Sequence, residues 1–134
     1  MDAALFQERL APAFPGLLGI RFNEVGPERV TASLEVRPDM SNGDGVLHGG
    51  ALMAFADTLG GVATLVNLPK GARTTTIESK TNFLGAVPVG ARITGECTPF
   101  HRGKTTMVWQ THIRSEAGKL CAVVIQTQMV IQPR

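Results

Sequence analysis

The chain is poor in short motifs that announce a chemistry. It has no Ser in a Gly-x-Ser-x-Gly elbow, no glycine-rich phosphate loop and no dinucleotide fingerprint, which disfavours covalent serine hydrolysis and nucleotide-driven chemistry. Its only cysteines, Cys97 and Cys121, stand far apart, without a Cys-x-x-Cys pair or a metal-ligand spacing. A disulfide framework and a zinc site therefore have no support, and both thiols are expected to be small buried hydrophobes. Excess charge is also scarce: 13 Lys and Arg against 11 Asp and Glu give a net +2, too little to suggest nucleic acid as a partner. The most apolar stretch, residues 51–68, carries Asp57, Asn67 and two central glycines, costly in a bilayer and ordinary in a protein core. The opening residues are acidic and broken by charge, unlike a basic-then-apolar secretory leader, so no membrane partner and a cytoplasmic location are expected.

What is present suits one globular domain over residues 1–134: 43% hydrophobic and 18% charged residues in 134, enough for one core and too few for two. Leu5, Phe6 and Leu10 recur at helical spacing in residues 2–14, and Pro12 with Pro15-Gly16 closes that short helix. Strand-like runs follow at 18–25 and 29–37, the second alternating Val30, Ala32, Leu34 and Val36 with polar residues. Residues 38–45 are turn formers. From 49 to 67 almost no polar stripe remains, which predicts a long helix surrounded by protein. Four further strands are expected at 73–84, 91–100, 105–114 and 120–131, with 101–104 as a connection. The pattern is α+β: about six mostly antiparallel strands in a curled sheet around one long helix.

Asn42-Gly43-Asp44-Gly45-Val46-Leu47-His48-Gly49-Gly50, Asp57 nine residues after His48, and Gly61-Val62-Ala63 together resemble the hotdog-fold acyl-coenzyme A (acyl-CoA) thioesterases, in particular their PaaI-like (phenylacetate-pathway) branch. Thr76-Ile77-Glu78, Asn82-Phe83-Leu84 and His101-Arg102-Gly103-Lys104-Thr105 also look like this family, and the resemblance covers most of the chain. Gly85-Ala86-Val87-Pro88 departs modestly where relatives often have an earlier Pro. The resemblance implies a hotdog fold, thioester hydrolysis and a homo-oligomer, either a homodimer or a homotetramer. It assigns the oxyanion-binding amide to Gly49. By the same resemblance Asp57 is the general base or nucleophile, with Thr76 placing the nucleophile, Asn42 beside the thioester oxygen and His48 near the departing sulfur. Coenzyme A phosphates would meet the turn carrying Arg102 and Lys104. No metal or redox cofactor is implied, coenzyme A being part of the substrate.

Physical chemistry supports several of these roles independently. Two residues without side chains at a helix start leave amide N–H groups open to a ligand. One fixed N–H aimed at a developing oxyanion is commonly worth roughly 3 to 4 kcal/mol. Asp57 is about 13 Å further along the helix than His48 and about half a turn round it, from about 1.5 Å and 100° per residue. One chain does not easily bring both to one atom, so a shared site predicts a dimer interface. Strict alternation sets Thr76 opposite Ile77 and leaves Thr75 as a competitor. Met53, Phe55 and Leu59 suggest an apolar acyl tunnel, without separating aryl from medium alkyl chains. Two other readings stay open at this point: a non-catalytic acyl-CoA sensing module, and a hotdog dehydratase acting on carrier-protein substrates.

Overall fold

A computed structural model describes residues 2–134. Asp2 caps α1 (Ala3–Leu10) by accepting the Leu5 N–H at 2.9 Å. The side chain of Gln7 docks this helix on the entry to the sheet, donating to the Ile20 carbonyl and accepting the Phe22 N–H. A second short helix, α2 (Phe14–Leu18), stands where the sequence predicts a stop followed by a strand. The reason is the position of Pro15 in the first helical turn, where a missing N–H costs nothing. Gly19, at φ 80°, ends α2, so the first strand starts at residue 21 instead of 18.

The strands are β1 (Arg21–Val25), β2 (Val30–Glu35), β3 (Arg73–Phe83), β4 (Arg92–Arg102), β5 (Thr106–Ser115) and β6 (Leu120–Ile131). They form one antiparallel sheet in the order β1-β2-β4-β5-β6-β3. The long helix α3 (Gly49–Leu65) lies across it and touches β2 through β6, so the expected curled six-stranded hotdog architecture is observed. β4 runs on to Arg102, which moves His101 and Arg102 out of the predicted connection and into a strand.

Phe55 and Leu59 fill the space between α3 and the sheet and are fully buried. That approach needs Gly95 on β4, where a Cβ would lie 2.8 Å from Leu59 Cδ2 and 3.2 Å from the Phe55 ring. Buried Trp109 on β5 donates its indole N–H to Thr64 Oγ1 at 2.8 Å, and that hydroxyl donates to the Gly60 carbonyl. Both cysteines are buried, as expected. No helix among the described residues is long and apolar enough to cross a membrane.

Two expectations need correction. The helix is not wrapped on all sides by its own chain: Met53, Ala54, Asp57, Thr58 and Gly61 are only partly buried and Leu65 is exposed, forming one uncovered stripe. Apart from Asp57 and Thr58 the stripe is small or apolar, so hydrophobicity alone does not mark it. Phe55 and Leu59 also line no tunnel, because both are spent on packing against the sheet. β3 is an edge strand exposed along most of its length, pairing only with β6 within the chain.

Candidate active site

The turn-forming segment before α3 folds back on itself. Ser41 bridges Leu47, Asn42 N–H donates to the Val46 carbonyl, and His48 N–H donates to the Met40 carbonyl. Gly43 and Gly45 supply the positive φ angles, 90° and 80°, that this tight loop requires. Asn42 Oδ1 accepts the Asp44 N–H at 2.8 Å, so the carbonyl end of that side chain is engaged and its Nδ2 donors remain. His48 is the N-cap of α3: its Nδ1 accepts the Gly50 N–H at 2.8 Å. An accepting Nδ1 puts the proton of a neutral imidazole on Nε2.

Four amides at a helix start lack helical partners. Here Gly50 bonds to His48 Nδ1, while Ala51 and Leu52 donate to the His48 carbonyl. Gly49 N–H alone has no acceptor among the described residues. The helix start therefore offers one free amide, at the position the family resemblance assigns to oxyanion binding. Phe83 from β3 lies over it, with ring atoms 3.2 Å from where a Gly49 Cβ would be. A groove of about 450 Å³ opens beside this amide, lined by Leu47, Leu52, Phe83, Leu84 and Val87.

Further along α3, Asp57 faces β3 and β6. Thr76 Oγ1 donates to Asp57 Oδ1 at 2.6 Å, and Gln126 Nε2 donates to the same oxygen at 3.1 Å. Gln128 Nε2 in turn donates to Thr76 Oγ1 at 2.6 Å. It is Thr76, not Thr75, that meets the carboxylate. A bulge between Thr76 and Glu78 inserts Ile77 and shifts the alternation of β3. Thr76, Ser79, Thr81 and Phe83 thus stand opposite the buried Gln128, Gln126, Val124 and Ala122, while Glu78 and Lys80 take the other face.

The chain therefore brings together two groups, not one. Asn42, His48 and Gly49 gather at the start of α3; Asp57 and Thr76 meet at its middle. Arg102 and Lys104 lie beyond its other end. Arg102 pairs with Glu28 at 2.8 Å and donates to the Pro27 carbonyl, and with Lys104 it borders a hollow that includes Asn67 and Gln132. Gln126 and Gln128 are the members that sequence reading missed. Their signal was two polar residues on a strand face otherwise made of Ala122, Val124 and Val130.

A hotdog sheet around a helix that carries an N-terminal amide without an acceptor among the described residues, and a half-buried carboxylate held by neighbouring strands, suits a thioester-hydrolase scaffold. Comparison with known proteins agrees. Residues 44–122 match the model of the thioesterase superfamily. A putative esterase of Haemophilus influenzae is 35% identical over 114 residues, 85% of this chain and 82% of that protein. The 1,4-dihydroxy-2-naphthoyl-CoA hydrolase of Escherichia coli is 33% identical over 106 residues, covering 79% and 77%. A thioesterase crystal structure from Haemophilus influenzae superposes with a TM-score of 0.92 at 30% identity, over 98% of this chain and 92% of that one. The PaaI protein of Escherichia coli, at 22% identity, shares the fold with a TM-score of 0.86, over 98% and 94%. The chain belongs to the thioesterase superfamily and is a thioester hydrolase.

Proposed function

We propose that the protein hydrolyses an aryl- or medium-chain acyl-CoA to the free acid and coenzyme A at a site completed between two copies of the chain. Asn42, His48 and Gly49 of one subunit would face Asp57 and Thr76 of the other. The observation that carries this reading is the separation, along one helix, of a free amide at Gly49 from the carboxylate at Asp57. An antiparallel two-fold pairing of α3 that sets residue 57 opposite residue 49 has its axis near Met53. It covers the open stripe of Ala54, Asp57, Thr58 and Gly61 and gives the exposed edge of β3 a partner.

In that arrangement the Gly49 N–H and an Asn42 Nδ2 donor receive the thioester oxygen as it gains charge. His48 Nε2–H lies toward the departing sulfur. Asp57, held by Thr76, either takes the proton of the attacking water or attacks the carbonyl carbon itself. The same pairing turns the far end of α3, with Arg102 and Lys104, toward the partner's loop, where coenzyme A phosphates would pass. The groove beside Gly49 is apolar and suits a hydrophobic acyl group, and the dihydroxynaphthoyl-CoA specificity in the relative's name favours an aryl one.

Thiol release from a panel of arylacetyl, hydroxybenzoyl and short to long alkyl CoA esters tests the reading, with Asp57→Ala alongside. Turnover by the native chain and its loss in the variant are expected; full turnover by folded Asp57→Ala would refute the role given to that residue. Mixing Asn42→Ala and Asp57→Ala chains under conditions of proven subunit exchange should restore part of the activity. No recovery would refute the shared site.

A further inference from the structure

Gln126 and Gln128 are 0% and 1% exposed, and a primary amide buried that deeply is costly unless its polar atoms are paired. Their orientation follows from the carboxylate. An ionised carboxylate only accepts, so Thr76 must spend its single hydroxyl proton on Asp57 Oδ1. Thr76 Oγ1 can then only accept from Gln128, which presents Nε2 there and turns Oε1 to the Thr74 hydroxyl at 3.0 Å, a proton that the Met129 carbonyl shares at 2.8 Å. On the other side Gln126 directs Nε2 at the same Oδ1, leaving its own Oε1 buried without a partner. Rotating that amide would set Oε1 against the carboxylate, so the unpaired oxygen is the less costly choice. Gly60 makes the approach possible: a Cβ there would lie 2.2 Å from the Gln126 amide carbon. Among the described residues nothing bonds to Asp57 Oδ2.

We propose that Gln126 and Gln128 are positioning residues for the reaction: converging donors fix Asp57 through Oδ1 and leave Oδ2 as the oxygen that meets water or the thioester carbon. The carboxylate cannot turn about its own bond without breaking both contacts, so the direction of Oδ2 is set by β3 and β6 and not by the helix alone. This rests on the reading of Asp57 as the reacting carboxylate.

The test compares kcat and KM of Gln126→Met, Gln128→Met, Gln126→Glu and Gly60→Ala on the CoA ester that the native chain hydrolyses fastest. Binding of phenacyl-coenzyme A, a thioether that cannot be hydrolysed, is measured in parallel. Each Met variant is expected to lower kcat about tenfold with KM and thioether affinity within about twofold, because Gln126→Met loses a hydrogen bond to the carboxylate itself and Gln128→Met loses the one that holds the Thr76 hydroxyl against it. Gln126→Glu should lose more than Gln126→Met, since it adds a second carboxylate facing Oδ1. Gln128→Met combined with Thr76→Val should lose no more than Thr76→Val alone, both acting through one hydroxyl. Native kcat in both Met variants, with Asp57→Ala inactive, would overturn the positioning role and leave Asp57 in place. A parallel fall in thioether affinity and melting temperature would overturn it in favour of plain packing. Turnover in Asp57→Ala would instead overturn the reading of that residue. Gly60→Ala keeps every polar group and displaces only the Gln126 amide, so it decides the matter if a Met variant does not fold.

Discussion

His48 and Gly50 hold each other: the imidazole Nδ1 accepts the Gly50 amide at 2.8 Å, which caps α3 and leaves the amide of Gly49 as the one without an acceptor among the described residues. The same contact sets the tautomer of a neutral imidazole and decides which backbone donor at the helix start stays unengaged among the described residues. Capping and chemistry are thus separable by substitution. His48→Asn keeps a good N-cap side chain but removes the Nε2 proton, so the melting temperature should hold while kcat falls about tenfold or more. His48→Ala should show the same kinetic loss and in addition about 1 kcal/mol of lost stability. Urea unfolding and thiol release on the two variants separate the contributions.

Gly61 lies on the open stripe of α3, and a Cβ added there meets nothing within 4 Å in the single chain. Gly61→Leu should therefore fold well, with a gain in helix propensity approaching about 1 kcal/mol. The added side chain would stand between two paired helices. Sedimentation velocity should show a folded species of lower mass than the native protein, with little thiol release. An unchanged mass and rate would refute pairing through this stripe.

Thr64 joins helix to sheet in the core, receiving the Trp109 indole N–H at 2.8 Å and donating to the Gly60 carbonyl. Thr64→Val keeps the volume and removes the acceptor, leaving a buried N–H unpaired. A loss of about 1 to 3 kcal/mol is expected, read by urea unfolding at fixed protein concentration. A loss below about 0.5 kcal/mol would mean the indole finds another partner.

Burial pushes the Cys97 thiol up to about 12 from 9.0, with the Thr111 hydroxyl a smaller, opposing influence. In the unfolded chain the thiol ionises from about pH 9, whereas the native thiol keeps its proton to about 12. The native state binds more protons across that window. Its contribution is complete below pH 9 and falls as pH rises, by at most about 1.4 kcal/mol per pH unit. Cys97→Ala should flatten this part of the stability profile, and iodoacetamide should reach Cys97 only in denaturant.

Thr76 shows where sequence reasoning runs out. Alternation in β3 put it on the face opposite Ile77 but gave Thr75 an equal claim, because nothing local marks the bulge that inserts Ile77. The bulge is set by pairing with Thr127 and Gln128 of β6, far along the chain. Partners 69 and 52 residues away hide Gln126 and Gln128, which read locally as polar interruptions of a strand. α2 is hidden for another reason: a proline that can stop a helix is also a favoured first-turn residue, and only the path of the chain afterwards distinguishes the two.

The amino-acid sequence by itself determined the six strands, the long apolar helix, and the placing of Asn42, His48 and Gly49 at its start, because periodicity and turn chemistry act over a few residues. The tertiary structure decided which amide stays free, which threonine meets Asp57, which oxygen of that carboxylate is engaged, and that β3 and one stripe of α3 stay uncovered. Those outcomes depend on hydrogen bonds and packing between elements far apart in the chain, where each hydroxyl has one proton to give and buried acceptors compete for the donors within reach.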